Sequence, residues 1–157
     1  MYRIGLGKDI HRLVSGRRFL LGGVNIPFDR GEDGHSDGDV LSHAIIDSLL
    51  GASCLGDIGE FFPPGDAKWK DADSTELLRI AYRTVRNEGW RIINIDCVVT
   101  CEKPKILPYR EMIRESLAGV LEIDAGQVFV KGKTAEGFDA AGKGEAVEAL
   151  AICLLEK

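Results

Sequence analysis

The 157-residue chain is short of several things. No apolar run approaches ~20 residues, which excludes a membrane-spanning helix. Positive charge is in deficit: 20 Lys and Arg against 25 Asp and Glu leave a formal charge of -5. That is the wrong sign for nonspecific nucleic-acid binding, which needs a basic footprint. A small anionic ligand remains compatible, provided that local cations, metal ions or helix N-termini receive it. The opening residues MYRIGLGKDIH lack an apolar signal core and read directly as structure. The four cysteines, Cys54, Cys97, Cys101 and Cys153, form no CxxC pair and lie in apolar contexts. They read as buried free thiols in a reducing cytoplasm rather than as a disulfide or a thiolate zinc site. There is no internal repeat, no linker and no obvious pairing of a nucleophile with a base. A single domain over residues 1–157 is expected, burying roughly 70% of the surface its unfolded chain would expose.

What is present is concentrated in Gly34 to Ala52, GHSDGDVLSHAIIDSLLGA, which holds two of the three histidines and three aspartates. As a turn feeding a helix, it places Asp39, His43 and Asp47 at spacings of four on one face. Leu41, Ile45, Ser48, Leu49 and Ala52 are left for the core. Ser36, Asp37 or Asp39 caps the first turn.

Around this stretch, Tyr2–His11 reads as a strand on which Asp9 and His11 project to the same side. Arg17–Leu21 and Val24–Pro27 form a hairpin at Gly22-Gly23, and residues 28–37 a polar loop. Residues 56–73, with two prolines, form a long loop of the kind used as a lid or binding segment. Ser74–Glu88 is a helix with capping-box spacing at Asp73 and Glu76 and a stop at Gly89. Arg91–Cys101 alternates as a strand with Ile93, Ile95, Cys97, Val99 and Cys101 on one face. Helix Tyr109–Leu121 starts near Pro108, strand Gln127–Lys133 follows, and Thr134–Gly144 is a glycine-rich turn. Glu145–Glu156 is expected to close the chain as an apolar-rich helix. The fold class is α/β, an α+β sandwich: a mixed sheet covered on one face by helices, with an N-terminal β-hairpin.

Asp9 and His11 from a strand, with His43 from a helix, make a three-ligand metal set. Two imidazoles and a carboxylate suit zinc with an open fourth position, or non-haem iron. Backbone N–H groups at residues 56–59, in the 134–144 turn and at the helix entry near His35 and Ser36 are phosphate cradles in outline.

The motifs together are more specific than any one of them. Asp9-Ile10-His11, the run from Ser36 through Asp39 to His43 and Asp47, Leu50-Gly51-Ala52, Gly56-Asp57-Ile58-Gly59, Phe62-Pro63, Ala72-Asp73-Ser74 and Pro104-Lys105 resemble one family along essentially the whole chain. That family is 2-C-methyl-D-erythritol 2,4-cyclodiphosphate synthase, of non-mevalonate isoprenoid biosynthesis. The resemblance implies a homotrimer, sheets facing its centre, with active sites between neighbouring subunits. It implies zinc on Asp9, His11 and His43, and a second divalent ion, magnesium or manganese, near Glu136. The substrate would be a cytidine diphosphate ester of methylerythritol carrying a 2-phosphate, converted to the cyclic diphosphate and CMP.

Asp9, Ile10, His11, His35 and Ser36 fall where the family contacts substrate, and His35 and Thr134 where it steadies the transition state. Asp57, Ile58 and Gly59, with Phe62, Pro63, Pro64, Gly65 and Asp66, match its methylerythritol-phosphate region. Cys101, Glu102, Lys103, Pro104, Lys105, Ile106 and Leu107 match its cytidine pocket. Lys133, Thr134, Ala135, Glu136, Ala140 and Lys143 stand in its C-terminal substrate segment. There the chain departs from the usual pattern: Lys133 replaces a threonine, Ala140 a phenylalanine and Lys143 an arginine, which loses the planar bidentate fork. Two other readings use the same residues: a noncatalytic trimeric module that binds a cytidine nucleotide or isoprenoid diphosphate, and an iron-dependent oxygenase.

Overall fold

A computed structural model describes residues 1–157. Strand β1 (Tyr2–Ser15) is followed by a hairpin of β2 (Phe19–Leu21) and β3 (Val24–Ile26), then by β4 (Arg30–Glu32). Helix α1 (Val40–Ser53), a short α2 (Ile58–Phe61) and α3 (Ser74–Asn87) come next. After them run β5 (Arg91–Thr100), α4 (Arg110–Leu121), β6 (Val128–Lys133), a short α5 (Asp139–Gly142) and β7 (Ala146–Glu156). The main sheet has the order β4-β1-β7-β5-β6. All its pairs are antiparallel except β5 with β6, which α4 connects in a βαβ crossover. No helix is long and apolar enough to cross a membrane.

The mixed sheet and its helices match the expected class, but the last element does not. Residues 146–156 are the central strand, paired with β1 along eleven residues and with β5 on the other side. Val147, Ala149, Ala151, Cys153 and Leu155 are all fully buried against the helices. The outward Leu150, Ile152 and Leu154 are apolar as well, so the strand reads as a near-continuous apolar run, which periodicity alone does not separate from a buried helix. The hairpin at Gly22-Gly23 forms as expected. Within residues 28–37, however, β4 pairs with the end of β1. In β5 the register shifts between Ile92 and Asn94, so Ile92 is buried and Ile93 turns to the other face. Of the cysteines, Cys54 is exposed and the other three are buried, all free.

Side chains of β1 alternate as strand geometry demands. Tyr2, Ile4, Leu6 and Ile10 face outward on the uncovered side of the sheet, 52–74% exposed. Arg3, Gly5, Gly7, Asp9, His11 and Leu13 face the helices. A Cβ on Gly5 would lie 1.8 Å from the Ser48 carbonyl oxygen, and one on Gly7 1.8 Å from that of Ala44. Both glycines therefore exist to let α1 lie directly on the β1 backbone. Helix α1 is enclosed on nearly every side, burying Val40, Ser42, Ile46, Leu50 and Ser53 as well as the stripe read from the sequence.

Its N-cap is Asp39, fully buried, which accepts from Ser42 N at 3.0 Å and from Gly22 N and Gly23 N at 3.0 and 2.7 Å. One carboxylate thus starts the helix and holds the hairpin turn. Asp73 caps α3 through Thr75 N, while Glu76 pairs with Arg79, so the expected capping box is not made.

Glu32 of β4 is fully buried. One carboxylate oxygen accepts from Leu20 N at 2.9 Å and the other has no partner. Burial, reinforced by Asp39 and Asp37, pushes its pKa up to about 9.

Two outcomes are expected. Gly7→Ala forces α1 off β1, costing about 1–3 kcal/mol or more in denaturant unfolding. An unchanged midpoint would contradict the contact. Glu32 keeps its proton in the folded state to about pH 9 but releases it near 4.5 when unfolded, so the unfolded state binds fewer protons between those values. Stability therefore falls with rising pH in that window, by at most ~1.4 kcal/mol per unit, and Glu32→Gln flattens the slope. A slope that Glu32→Gln leaves unaltered would contradict this assignment.

Candidate metal centre and flanking pockets

The glycine-mediated contact between α1 and β1 sets His43 over Asp9 and His11. Nε2 of His11 lies 2.8 Å from Oδ2 of Asp9, Nδ1 of His43 lies 3.0 Å from the same oxygen, and the two nitrogens are 3.3 Å apart. Bonds of ~2.05 Å at a tetrahedral angle require donors about 3.3 Å apart. The separation of the two imidazoles matches this and the Asp9 oxygen lies a few tenths of an ångström closer to each, so the three donors could hold a divalent cation.

Each imidazole is held at its other nitrogen. Nδ1 of His11 donates to the Asp33 carbonyl at 2.5 Å. Nε2 of His43 faces the hydroxyls of Ser74 at 2.9 Å and Ser36 at 3.1 Å. Burial acts to raise the pKa of Asp9, but hydrogen bonds and charge from His11 and His43 hold it well below the usual carboxylate range. Burial acts to lower that of His11, and Asp9 with the Asp33 carbonyl outweighs it, raising the pKa. A cation here replaces protons on groups already arranged to share them.

A cavity of about 240 Å³ opens beside the triad, lined by His11, His35, Ser36 and His43, by Ile58, Gly59, Phe62 and Pro64, and by Trp69 and Leu77. Loop 56–73 builds one wall. Asp57 caps α2 in a capping box with Glu60, and Asp47 of α1 accepts from Ile58 N at 2.8 Å. Asp57 and Asp47 thus position backbone rather than ligate. Exposed His35 reaches the Asp66 carbonyl at 3.3 Å, and Pro63 and Gly65 lie exposed in the same segment. Trp69 packs edge-on against Phe62 at 5.0 Å. It was not singled out in the sequence, although an aromatic in a polar loop is a usable signal.

A second cavity of about 290 Å³ lies at the C-terminal ends of β5 and β6. Cys101, Glu102, Pro104, Lys105, Ile106 and Leu107 line it with Lys133 and Thr134; Lys103 is exposed outside the lining. Arg110 and Gly132 also line it, neither of them anticipated. Glu102 accepts from Ala135 N at 2.9 Å, and the Thr134 hydroxyl donates to Glu136 at 2.5 Å. Burial, with the charges of Glu32 and Glu102, pushes the Cys101 thiol up to about 12, which removes thiolate chemistry there.

The two cavities share no residue. Asp9 pairs with Ala149, Ala149 with Val99, and Val99 with Gly132, so β1 and β6 are three strand spacings, about 14 Å, apart. His35 and Thr134 are therefore not brought together within one chain. Ile10 and Ala140 both line a third cavity elsewhere, with Arg12, Arg30 and Glu145. Lys143 is the exposed C-cap of α5 and lines none of these spaces.

Comparison with known proteins gives a consistent result. A sequence model of the YgbB family matches residues 2–156. The chain is 60% identical to a 2-C-methyl-D-erythritol 2,4-cyclodiphosphate synthase of Treponema denticola, over 98% of this chain and 95% of that one. Among solved structures, a 2C-methyl-D-erythritol-2,4-cyclodiphosphate synthase in its CDP-bound form superposes with a TM-score of 0.90 at 39% identity, covering 98% of this chain and all of that one. The bifunctional IspDF of Campylobacter jejuni superposes with a TM-score of 0.95 at 39% identity; it covers 99% of this chain, which spans 42% of that longer protein.

One divalent ion per chain is expected at the triad. His43→Ala should abolish its uptake, read by metal analysis after dialysis, while leaving the circular dichroism spectrum intact. Retention of the ion would remove His43 from the ligand set.

Proposed function

The chain belongs to the YgbB family of 2-C-methyl-D-erythritol 2,4-cyclodiphosphate synthases, enzymes of the lyase class in isoprenoid biosynthesis, and on that footing we propose the reaction it performs and the residues that perform it. The reaction is cyclisation of 4-diphosphocytidyl-2-C-methyl-D-erythritol 2-phosphate. An oxygen of the 2-phosphate attacks the β-phosphorus, a new P–O bond closes the ring, and the bond to the α-phosphate breaks with its electron pair leaving on CMP. The nucleophile is already anionic, because the second pKa of a phosphate monoester is ~6. No protein base is required, so the contact of the Ser36 hydroxyl with Nε2 of His43 serves to hold the imidazole rather than to activate a nucleophile.

The observation that carries this reading is the triad of Asp9, His11 and His43 with both distal nitrogens held. Those three would hold zinc and Glu136 would help to hold a magnesium or manganese ion; bound, the ions would supply Lewis-acid stabilisation of crowded phosphate charge. The side chains bind and orient. Cys101 to Leu107 shape the nucleotide pocket, with Lys105 facing phosphate. Ile58, Gly59 and Phe62 confine the methylerythritol phosphate, His35 donates to oxygens that gain charge, and Thr134 does so once its hydroxyl turns from Glu136. Folding the substrate so that its ends meet is worth up to ~7–11 kcal/mol in favourable cases.

A substrate with its nucleotide in one cavity and its methylerythritol beside the triad has to span two surfaces separated in a single chain by β7 and β5. The assembly that resolves this is a homotrimer with sheets facing the centre, each site formed by the triad cavity of one copy and the nucleotide cavity of the next. The outward apolar face of Ile4, Leu6, Ile10 and Ile152 supplies the interface, since patches of this kind mark association surfaces.

Purified protein supplied with the cytidine diphosphate substrate, zinc and magnesium is expected to release CMP, and chelation to stop it. Leu6→Glu on the apolar face is expected to reduce the mass in sedimentation from three copies to one and to eliminate CMP release with it. No CMP above the chelated control would overturn the assignment.

A further inference from the structure

The proposed metal triad has a supporting residue on a third element. Ser74 is the first residue of α3, fully buried, and its hydroxyl sits 2.9 Å from Nε2 of His43. The direction of the one hydroxyl proton decides what this contact does. Oγ of Ser74 lies 2.5 Å from Oδ1 of Asp37, and a carboxylate only accepts. Asp37 receives two further donors, Ser74 N at 3.1 Å and Asp39 N at 3.2 Å. The Ser74 proton therefore points to Asp37, and its lone pairs face His43. Ser36 completes the arrangement: its Oγ is 3.3 Å from that of Ser74 and 3.1 Å from Nε2 of His43, and accepts from Gly38 N.

From this geometry we propose that Ser74, oriented by Asp37, is a positioning residue that fixes the tautomer of His43. Its oxygen accepts the Nε2 proton, so that Nδ1 presents a bare lone pair to the ion. The inference rests on the reading of Asp9, His11 and His43 as the zinc site, and adds to it the group that makes one ligand competent. The second imidazole is held by a backbone carbonyl, that of Asp33, which no side-chain substitution removes. Ligand orientation in this centre thus depends on side chains at His43, where Ser74 makes the shorter contact and Ser36 the longer. Partners of this kind typically set metal affinity by 10–100-fold. Because α3 also carries Leu77 into the wall of the triad cavity, the same helix start that shapes the pocket tunes the metal.

Two measurements test this, one on the unmodified protein. In the zinc-loaded wild type, long-range proton–nitrogen NMR should show His43 protonated at Nε2; protonation at Nδ1 overturns the proposal whatever the variants do. Cobalt(II) titration, read by visible absorption and calorimetry, should give stoichiometric binding to wild type and 10–100-fold weaker binding to Ser74→Ala. Ser74→Thr, which keeps the hydroxyl, should recover most of that loss. Asp37→Asn, whose amide can turn the Ser74 proton toward His43, should weaken binding as Ser74→Ala does. Binding by Ser74→Ala within threefold of wild type overturns the proposal and leaves the zinc site standing. A wild type that takes up no cobalt overturns the zinc site and this inference together.

Discussion

Everything in this molecule depends on how closely α1 lies on β1. Two glycines remove the side chains that would hold helix and strand apart, and the carbonyls of Ala44 and Ser48 occupy the space. The register of that contact is also the register of the chemistry. Gly7 sits under Ala44, and two residues further along β1 Asp9 meets His43. Bringing the Ala44 backbone onto β1 shortens the reach that the neighbouring His43 needs to meet Asp9. Tight packing and the meeting of the three candidate donors are one constraint seen at neighbouring residues.

The acidic residues of the central stretch divide the work of holding that contact. Asp39 ties α1 to the hairpin turn, Asp47 ties it to α2, and Asp37 ties its approach to the start of α3. None of the three is a ligand, yet each fixes the end of an element that frames the triad. A buried carboxylate that accepts from backbone N–H groups is compensated for its lost hydration. Glu32 is the exception, with one oxygen unpartnered, and it remains neutral instead.

Much of the site was legible in the sequence because its chemistry is local. Asp9 and His11 share a face by strand alternation, and His43 stands four residues after a helix cap. What was not legible came from tertiary context. Residues 146–156 look helical because the outer face of this strand carries Leu150, Ile152 and Leu154 opposite its buried face, leaving little polar alternation to betray its period. The bulge at Ile93 reverses one residue of β5 without any composition signal. Ser74 was hidden by its neighbour: Asp73 is such a good cap that the following serine reads as part of a helix start. Its partners lie 31 and 37 residues away, a separation no spacing rule covers.

The central position of β7 also has a consequence for how the molecule is made. Ribosomes deliver the chain from its N-terminus, so β1 and β5 both emerge before the strand that belongs between them. Until residues 146–156 arrive, β1 has no neighbour along most of its length, and its apolar outer face and unpaired edge are exposed together. Closing the sheet joins residues nearly the whole chain apart, such as Tyr2 and Glu156, the kind of long-range pairing that slows folding. The sheet therefore stays open until after every helix of this fold has been made, and chaperone protection of the β1 edge and face matters throughout that interval.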